Sequence, residues 1–386
     1  MKATLSVTGS LVAAAAVFGA LVVGVILDPQ RACFAYLAAW TYGVTIVMGA
    51  LILLMIGHAA KASWMVVTRR ITEAVVDALP LFLILFIPVA ASLRRLYPWA
   101  GDVDALDETL RHAILHKRAY LNPAFFIGRT VFYFAVVIAI GALLRHWSKV
   151  NDVRPSVEWT RRMRTLSGGG LPVVGLVVSW AAFDWTMSLE PAWRSTIFGL
   201  YDFSGGFVGA IALVCVLERG AQVRGGLPVT ADHAQALGRV LFAMVIFWAY
   251  MAFSQLLIYW IGNIPDEVSF YAARTRGSWS VVTTVLVVGH FVLPFFALLS
   301  RPLKRRPAYL AAVGGWMLVM HWVDTYWMIL PVQDVAGVRL RWVDAAALVF
   351  VGGVSSAWVT LRHRTAAPLP RQVPELSEGV NYEAAL

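Results

Sequence analysis

The sequence predicts an all-α integral membrane protein with about ten transmembrane helices. Apolar residues fill 59% of the 386 positions, and Asp, Glu, Lys and Arg only 14%, against roughly a quarter charged in ordinary soluble domains. Apolar runs near or above the roughly 20 residues that cross a bilayer recur along the chain, without the alternating ten-residue pattern of a barrel strand. They fall near residues 5–27, 33–57, 75–93, 123–144, 171–188, 197–217, 237–262, 278–299, 307–329 and 341–361. Residues 1–361 therefore form one polytopic transmembrane domain with no room for a soluble one, and 362–386 form a tail.

Each run has its punctuation. The first follows Lys2 in the manner of a signal peptide, but it is longer than a usual signal core and nine further runs follow, so it reads as an uncleaved helix. The longest outer loop, 94–122, carries Asp102, Asp104, Asp107 and Glu108 ahead of RHAILHKRAY. That charge pattern suits a surface helix, one that could touch a partner. The inner loop after Arg145 ends in Gly168, Gly169 and Gly170 before Pro172, a flexible stop ahead of the fifth run. Its tryptophans and arginines suit the lipid headgroup zone. YWIGNIPDE stops the seventh run at Asn263 and Pro265 and sets Asp266 and Glu267 at the outer surface. Pro294 kinks the eighth, one turn after His290.

Lysine and arginine set the orientation, because positively charged loops resist translocation. Lys2, Lys61, Arg69, Arg70, the stretch from Arg145 to Arg164, Arg219, Arg224 and Arg239 fall on one side. Arg301, Lys304, Arg305, Arg306 and the tail arginines Arg362, Arg364 and Arg371 join them. That side holds about twenty positive charges against about eleven, which places both termini in the cytoplasm. The net charge of +10 is then mostly a topology signal. Loops this short build no basic surface for nucleic acid.

Cys33 and Cys215 stand alone, with no CxxC and no CxxCH, so the chain offers no ligands for an iron–sulfur cluster or a c-type haem. Each cysteine reads as a small apolar packer. His290 and His321 could in principle clamp a b-type haem, but at 1.5 Å per residue they lie roughly 18 Å and 12 Å below the outer ends of their runs. That offset favours hydrogen-bonded core histidines.

A carboxyl group near the hydrocarbon core costs several kcal/mol unless it is paired, protonated or facing water, and its default reading is a proton or substrate path. Counting depth along each run places Arg129, Asp184, Asp202, Gln255, Tyr259, His321 and Asp324 in one outer-half layer. His321 and Asp324 share a helical face, where the carboxylate could orient or charge the imidazole. One reading has Arg129 neutralising Asp184 or Asp202 as a structural ion pair. The other notes that one arginine cannot neutralise three acids, leaving at least one protonated or hydrated, as a proton relay requires. On that reading Asp184, Asp324, Asp202, His321 and Arg129 are the proton-transfer candidates. Asp77 and Asp344, at the inner and outer ends of their runs, are expected to snorkel to water, although Asp77 suits the mouth of a path. The aromatic residues Trp180, Phe183, Trp185, Tyr201, Phe203, Trp260, Trp322, Tyr326 and Trp327 suit an outer interfacial belt. The same density would serve a quinone pocket.

FDWTMSLEPAWRSTIFGLY, YWIGNIPDE, HFVLPFFALLSRPLKR and WVDTYWMILP, in that order, resemble the ActF-type membrane subunit of bacterial alternative complex III. This type belongs to the NrfD and polysulfide-reductase membrane-anchor family and is labelled the second quinone-binding subunit of a quinol:cytochrome c oxidoreductase. The match is good over residues 180–331 and looser elsewhere. It implies two four-helix bundles, spans two to five and six to nine, with the first and tenth peripheral. It also implies a bacterial inner-membrane complex with a sister NrfD-like subunit, an iron–sulfur protein and multihaem c-type cytochromes. In such complexes the sister subunit is the better candidate for the working quinol site, and the ActF-type subunit is thought to contribute a proton path. Asp184 in FDW and Asp324 in WVD match family positions, whereas Asp202, Arg129 and His321 rest on depth alone. His290, Tyr259, Gln255 and Trp185 are the candidate quinone contacts. A proton-coupled transporter and a purely structural anchor are the alternatives, although no internal repeat of the transporter kind is evident.

Overall fold

The computed structural model describes residues 17–225, 227–364, 369–370 and 376–384. The described residues are helical almost throughout, with no strand among them. We label the helices α1 (Val17–Leu27), α2 (Pro29–Ala59), α3 (Met65–Ala91), α4 (Pro123–Val153) and α5 (Val157–Trp185). After them come α6 (Phe198–Val223), α7 (Ala231–Gly262), α8 (Trp279–Leu299), α9 (Pro307–Ile329) and α10 (Trp342–Arg364). Eight of these, α2 to α8 and α10, are long and apolar enough to cross a membrane. At 23 residues α9 equals a span in length, but Trp316, Trp322, Trp327, His321 and Asp324 make it less apolar. The first part of the expected first run, residues 5–16, lies outside the described residues.

Local sequence explains the starts and stops. Asp28 before Pro29 and Asn122 before Pro123 begin α2 and α4 alike. Each side-chain oxygen accepts from a first-turn N–H, at 3.1 Å from Arg31 and 2.9 Å from Phe125, and each proline fills a position whose N–H has no partner anyway. Asn263 ends α7 in the left-handed conformation, φ 46°, as the YWIGNIPDE motif suggests. The surface helix expected in the outer loop forms at Glu108–His116, capped by Asp107.

Three expectations are corrected. Gly168–Gly170 and Pro172 do not stop the chain. The helix α5 begins at Val157, capped by Ser156, and runs through them, the one carbonyl bond lost to Pro172 being carried by the rest of the helix. Arg69 and Arg70 do not lie in a loop. They are buried in the first segment of α3, Met65–Val76, because Glu73 one turn on takes both guanidinium groups, at 3.1 and 2.7 Å, while Ser148 of α4 donates to it at 2.7 Å. The tail is not wholly separate from the domain. Leu376–Val380 forms a short helix whose Gly379 carbonyl meets His233 Nε2 at 2.7 Å.

Helices α2 to α5 and α6 to α9 pack as two groups that meet chiefly through α2 and α6, with α10 laid on α2 and α3. The α2–α6 crossing depends on glycine. A Cβ on Gly49 would stand 2.7 Å from the Gly206 carbonyl oxygen, and one on Gly206 2.7 Å from Thr45 Cβ. The backbones touch there, as small residues permit in membrane helix pairs. Cys33 and Cys215 are buried as free thiols in the core, in keeping with a packing role.

Candidate functional site

The residues expected to share one layer divide between the two groups of helices. In the first, Arg129 of α4 meets Asp184 of α5, so of the two pairings left open by the sequence this one forms. Arg129 Nε donates to Asp184 Oδ2 at 2.8 Å and Nη2 to Oδ1 at 2.9 Å, and the Tyr133 hydroxyl donates to Oδ2 at 2.8 Å. The remaining guanidinium nitrogen donates to the Tyr120 carbonyl at 2.8 Å, and the cation lies 3.7 Å from the Tyr120 ring centroid. Both oxygens of this fully buried carboxylate are occupied, and a bidentate arginine pair is among the strongest ways to hold a charge out of water.

In the second group, Asp324 of α9 is held from two directions. Tyr201 of α6 donates its hydroxyl hydrogen to Oδ1, and Trp248 of α7 donates its indole N–H to Oδ2 at 3.0 Å. No ion pair involves Asp324 or Asp202 among the described residues. Asp202, next to Tyr201 along α6, is buried and close enough to Asp324 to interact with it electrostatically, yet its Oδ1 has no hydrogen-bond partner. The expected pairing of Asp324 with His321 does not form, because Tyr201 and Trp248 already occupy both carboxyl oxygens. His321 instead anchors on α2, its Nε2 3.0 Å from Thr45 Oγ1, and leaves Nδ1 without a partner. The two groups still border one small space. A Cβ on Gly205 would stand 3.1 Å from Asp324 Oδ2 and 3.2 Å from His321 Nδ1, so glycine at that position keeps the space open.

His290 completes this cluster from α8. Its ring stacks on Trp248 with centroids 3.8 Å apart, and neither ring nitrogen has a protein partner. The kink expected at Pro294 is a π-helical segment, Val287–Val292. Proline lacks an N–H and its ring crowds the carbonyl four residues back, which is that of His290, so the helix widens there.

A cavity of about 540 Å³ opens beside this cluster, between α7 and α8. Its walls are mostly apolar, with Ala252, Phe253, Leu256, Leu286 and Phe291, and the buried rings of Tyr201, Trp248 and Trp327 are part of the lining. Tyr271 and Thr283 add polar atoms to the lining. Burial keeps the Tyr271 hydroxyl, on the short helix Pro265–Arg274, above the usual phenol range, so it stays a donor at neutral pH. A mostly apolar pocket of this size with a few placed polar groups is the common form of a small-ligand site.

The candidate quinone contacts are distributed unevenly around it. His290 lies behind the cavity wall, stacked on Trp248. Tyr259 packs its ring 5.9 Å from that of Tyr271 and donates to the Arg194 carbonyl at 2.5 Å, and Gln255 accepts from Ser195 at 3.5 Å, so both stand outside the lining. Trp185 belongs to the other group of helices, where it donates to Thr130 at 3.1 Å and meets Trp40 edge-on. It is therefore a core residue rather than part of an interfacial belt, and Tyr201 likewise is buried. Trp180 and Trp260 remain exposed.

Several buried charges escaped sequence reasoning. Arg31 at the start of α2 donates to Asp344 at 3.1 and 2.5 Å, to Tyr326 at 2.8 Å and to Asp334. Asp344 therefore does not snorkel to water but closes an ion cluster between α2 and α10. Asp77 is likewise paired, with Arg145. Arg274 is buried against Glu190 at 2.8 Å and the carbonyls of Phe270, Trp327 and Met328. Trp248 carried a weak signal, being seven residues from Gln255 and so on the same face of α7. The chain matches no family model and no curated protein.

Proposed function

We propose that this chain is a membrane subunit of a quinol-oxidising respiratory complex in the bacterial cytoplasmic membrane, with both termini in the cytoplasm, and that it moves protons and binds the quinol ring. One observation carries the reading. Asp324, a buried carboxyl group with no ion-pair partner among the described residues, is held by Tyr201 and Trp248, and the same two side chains line an apolar cavity. A quinol is an apolar ring whose hydroxyl protons must leave as it is oxidised. The ring hydroxyl gives its proton to Tyr201 Oη while Tyr201 passes its own to Asp324 Oδ1, and Asp202 and His321, each with an unpartnered buried atom, continue the route. Each oxidised quinol releases two protons by this route and two electrons to partner chains. The family resemblance supplies those partners: an iron–sulfur protein, multihaem c-type cytochromes and a sister NrfD-like subunit.

Asp184 supports a different role within the same reading. Saturated by Arg129 and Tyr133, it fits the structural ion pair better than the relay. The test is to solubilise the protein from native membranes in mild detergent and record the visible spectrum, then to measure quinol turnover in the assembled complex carrying Asp324→Asn. Copurifying c-type haem, and a loss on the order of 10²-fold at unchanged haem content, are expected. A colourless lone protein would favour transport, and unchanged turnover and proton release in Asp324→Asn would remove the relay.

A further inference from the structure

Away from that cluster, a second cavity of about 290 Å³ opens where α3, α4 and α10 meet. Arg145, His146 and Lys149 of α4 and Arg362 of α10 line it, and Asp77 is the one acid among the described lining residues. Asp77 pairs with Arg145, and the Trp358 indole donates to the Asp77 carbonyl at 2.7 Å while Arg362 lies 4.8 Å from the Trp358 ring centroid. Three cations, Arg145, Lys149 and Arg362, thus border one cavity that has a single acid among its described lining residues. Glu73 lies close behind, but Arg69 and Arg70 already engage it.

Helix geometry gives the level of this cavity. At 1.5 Å per residue, Arg145 lies about 33 Å from the start of α4 and Arg362 about 30 Å from the start of α10. The hydrocarbon core is about 30 Å thick, so both cations stand at a headgroup layer. Ile138 and Gly141, which precede Arg145 on α4, line the same cavity with Leu79 and Pro80 and extend it as an apolar surface toward the membrane interior.

We propose that this cavity binds an anionic phospholipid, its phosphate among Arg145, Lys149 and Arg362 and an acyl chain along Ile138, Gly141 and Pro80. Charge complementarity selects the headgroup. A zwitterionic lipid brings its own cation into the cluster, whereas phosphatidylglycerol brings a phosphate alone, and basic pockets between membrane helices are suited to such headgroups. The proposal is independent of the quinol reading.

Native mass spectrometry of the full chain in detergent, titrated with phosphatidylglycerol, phosphatidylcholine or inorganic phosphate, tests it. The variant is Lys149→Gln combined with Arg362→Gln, which keeps the Arg145–Asp77 pair. The control is Arg161→Gln with Arg162→Gln, exposed cations of α5 outside the cavity. Phosphatidylglycerol is expected to bind the native chain more tightly than phosphatidylcholine, and to lose about tenfold or more in the cavity variant but not in the control. Equal retention of the two lipids, an equal loss in the control, or displacement of phosphatidylglycerol by millimolar inorganic phosphate would each overturn the assignment to a lipid at this site.

Discussion

Arg129 meets Asp184 edge-on, with two parallel N–H bonds of 2.9 and 2.8 Å that tie α4 to α5. Breaking such a pair from one side leaves the other charge buried and uncompensated, at a cost of about 3–5 kcal/mol. Asp184→Asn is therefore expected to lower the thermal midpoint of the detergent-solubilised chain markedly. Replacing both partners, as Arg129→Met with Asp184→Leu, should recover most of the loss, since apolar pairs often replace buried ion pairs without penalty. Thermal unfolding followed by tryptophan fluorescence reads both. A normal midpoint with slowed turnover in Asp184→Asn would return Asp184 to the proton route.

What the sequence made legible follows from range. Apolar runs are local, so a helix from α2 to α10 lies near each expected run, and the Asn263 cap and Pro294 disturbance are local too. The extensions of α3 and α5 were hidden for an opposite reason. Arg69, Arg70 and Glu73 look like a solvated loop until Ser148 of α4 and Asp152 are seen to close the network. Gly168–Gly170 read as a break in water, whereas a bilayer penalises any alternative to the helix. Depth counting found Asp202, His321 and Asp324 as one layer, but partner choice is a long-range matter. Tyr201 lies 123 residues from Asp324, and Arg31 lies 313 residues from Asp344. Trp248 carries no charge, so its own run offered only the weak signal of its spacing from Gln255 and did not mark it as a carboxylate partner.

Tyr201→Phe and Trp248→Phe separate holding Asp324 from relaying its proton. Each variant removes one donor to the buried carboxyl group and leaves an oxygen unsatisfied, a loss of about 1–3 kcal/mol in either case. Of these two donors, only the tyrosine hydroxyl can both accept and donate a proton. Turnover is expected to fall further in Tyr201→Phe, and its solvent deuterium isotope effect to change there alone. Equal turnover in the two variants would make Tyr201 a support for Asp324 and nothing more.

Adjacent glycines give a sharper contrast. In Gly205→Ala the new methyl group enters the space between Asp324 Oδ2 and His321 Nδ1, at 3.1 and 3.2 Å, so both side chains must give way by a few tenths of an ångström. In Gly206→Ala it meets Thr45 Cβ at 2.7 Å and the Thr45 carbonyl oxygen at 2.8 Å, and the α2 backbone must move. Overpacking of the second kind costs about 1–3 kcal/mol. Gly205→Ala is expected to slow turnover with little change in thermal midpoint, and Gly206→Ala to lower the midpoint. Paired turnover and unfolding measurements check both, and a large midpoint loss in Gly205→Ala would mean that its site is packed rather than open.

Arg31→Lys tests whether the ion cluster between α2 and α10 depends on geometry or on charge alone. Arg31 uses its planar fork fully: Nε and Nη2 on Asp344 at 3.1 and 2.5 Å, Nη1 on Asp334, and Nη2 also on Tyr326 and the Arg339 carbonyl, both at 2.8 Å. A lysine ammonium keeps the charge but has three donors at one point and cannot span both carboxylates and the carbonyl. Two buried acids then share an imperfect partner, a loss of about 2–3 kcal/mol when charged hydrogen bonds go unmade. The effect should concentrate in the link between α9 and α10, where Gly337 sits at φ 141° and Val335 and Leu340 are exposed. Limited proteolysis of the solubilised protein should therefore cut Arg31→Lys near residues 335–340 several times faster than the native chain. Identical cleavage rates would show that the link is held by Trp279, whose indole donates to the Asp334 carbonyl at 2.8 Å, and not by the arginine.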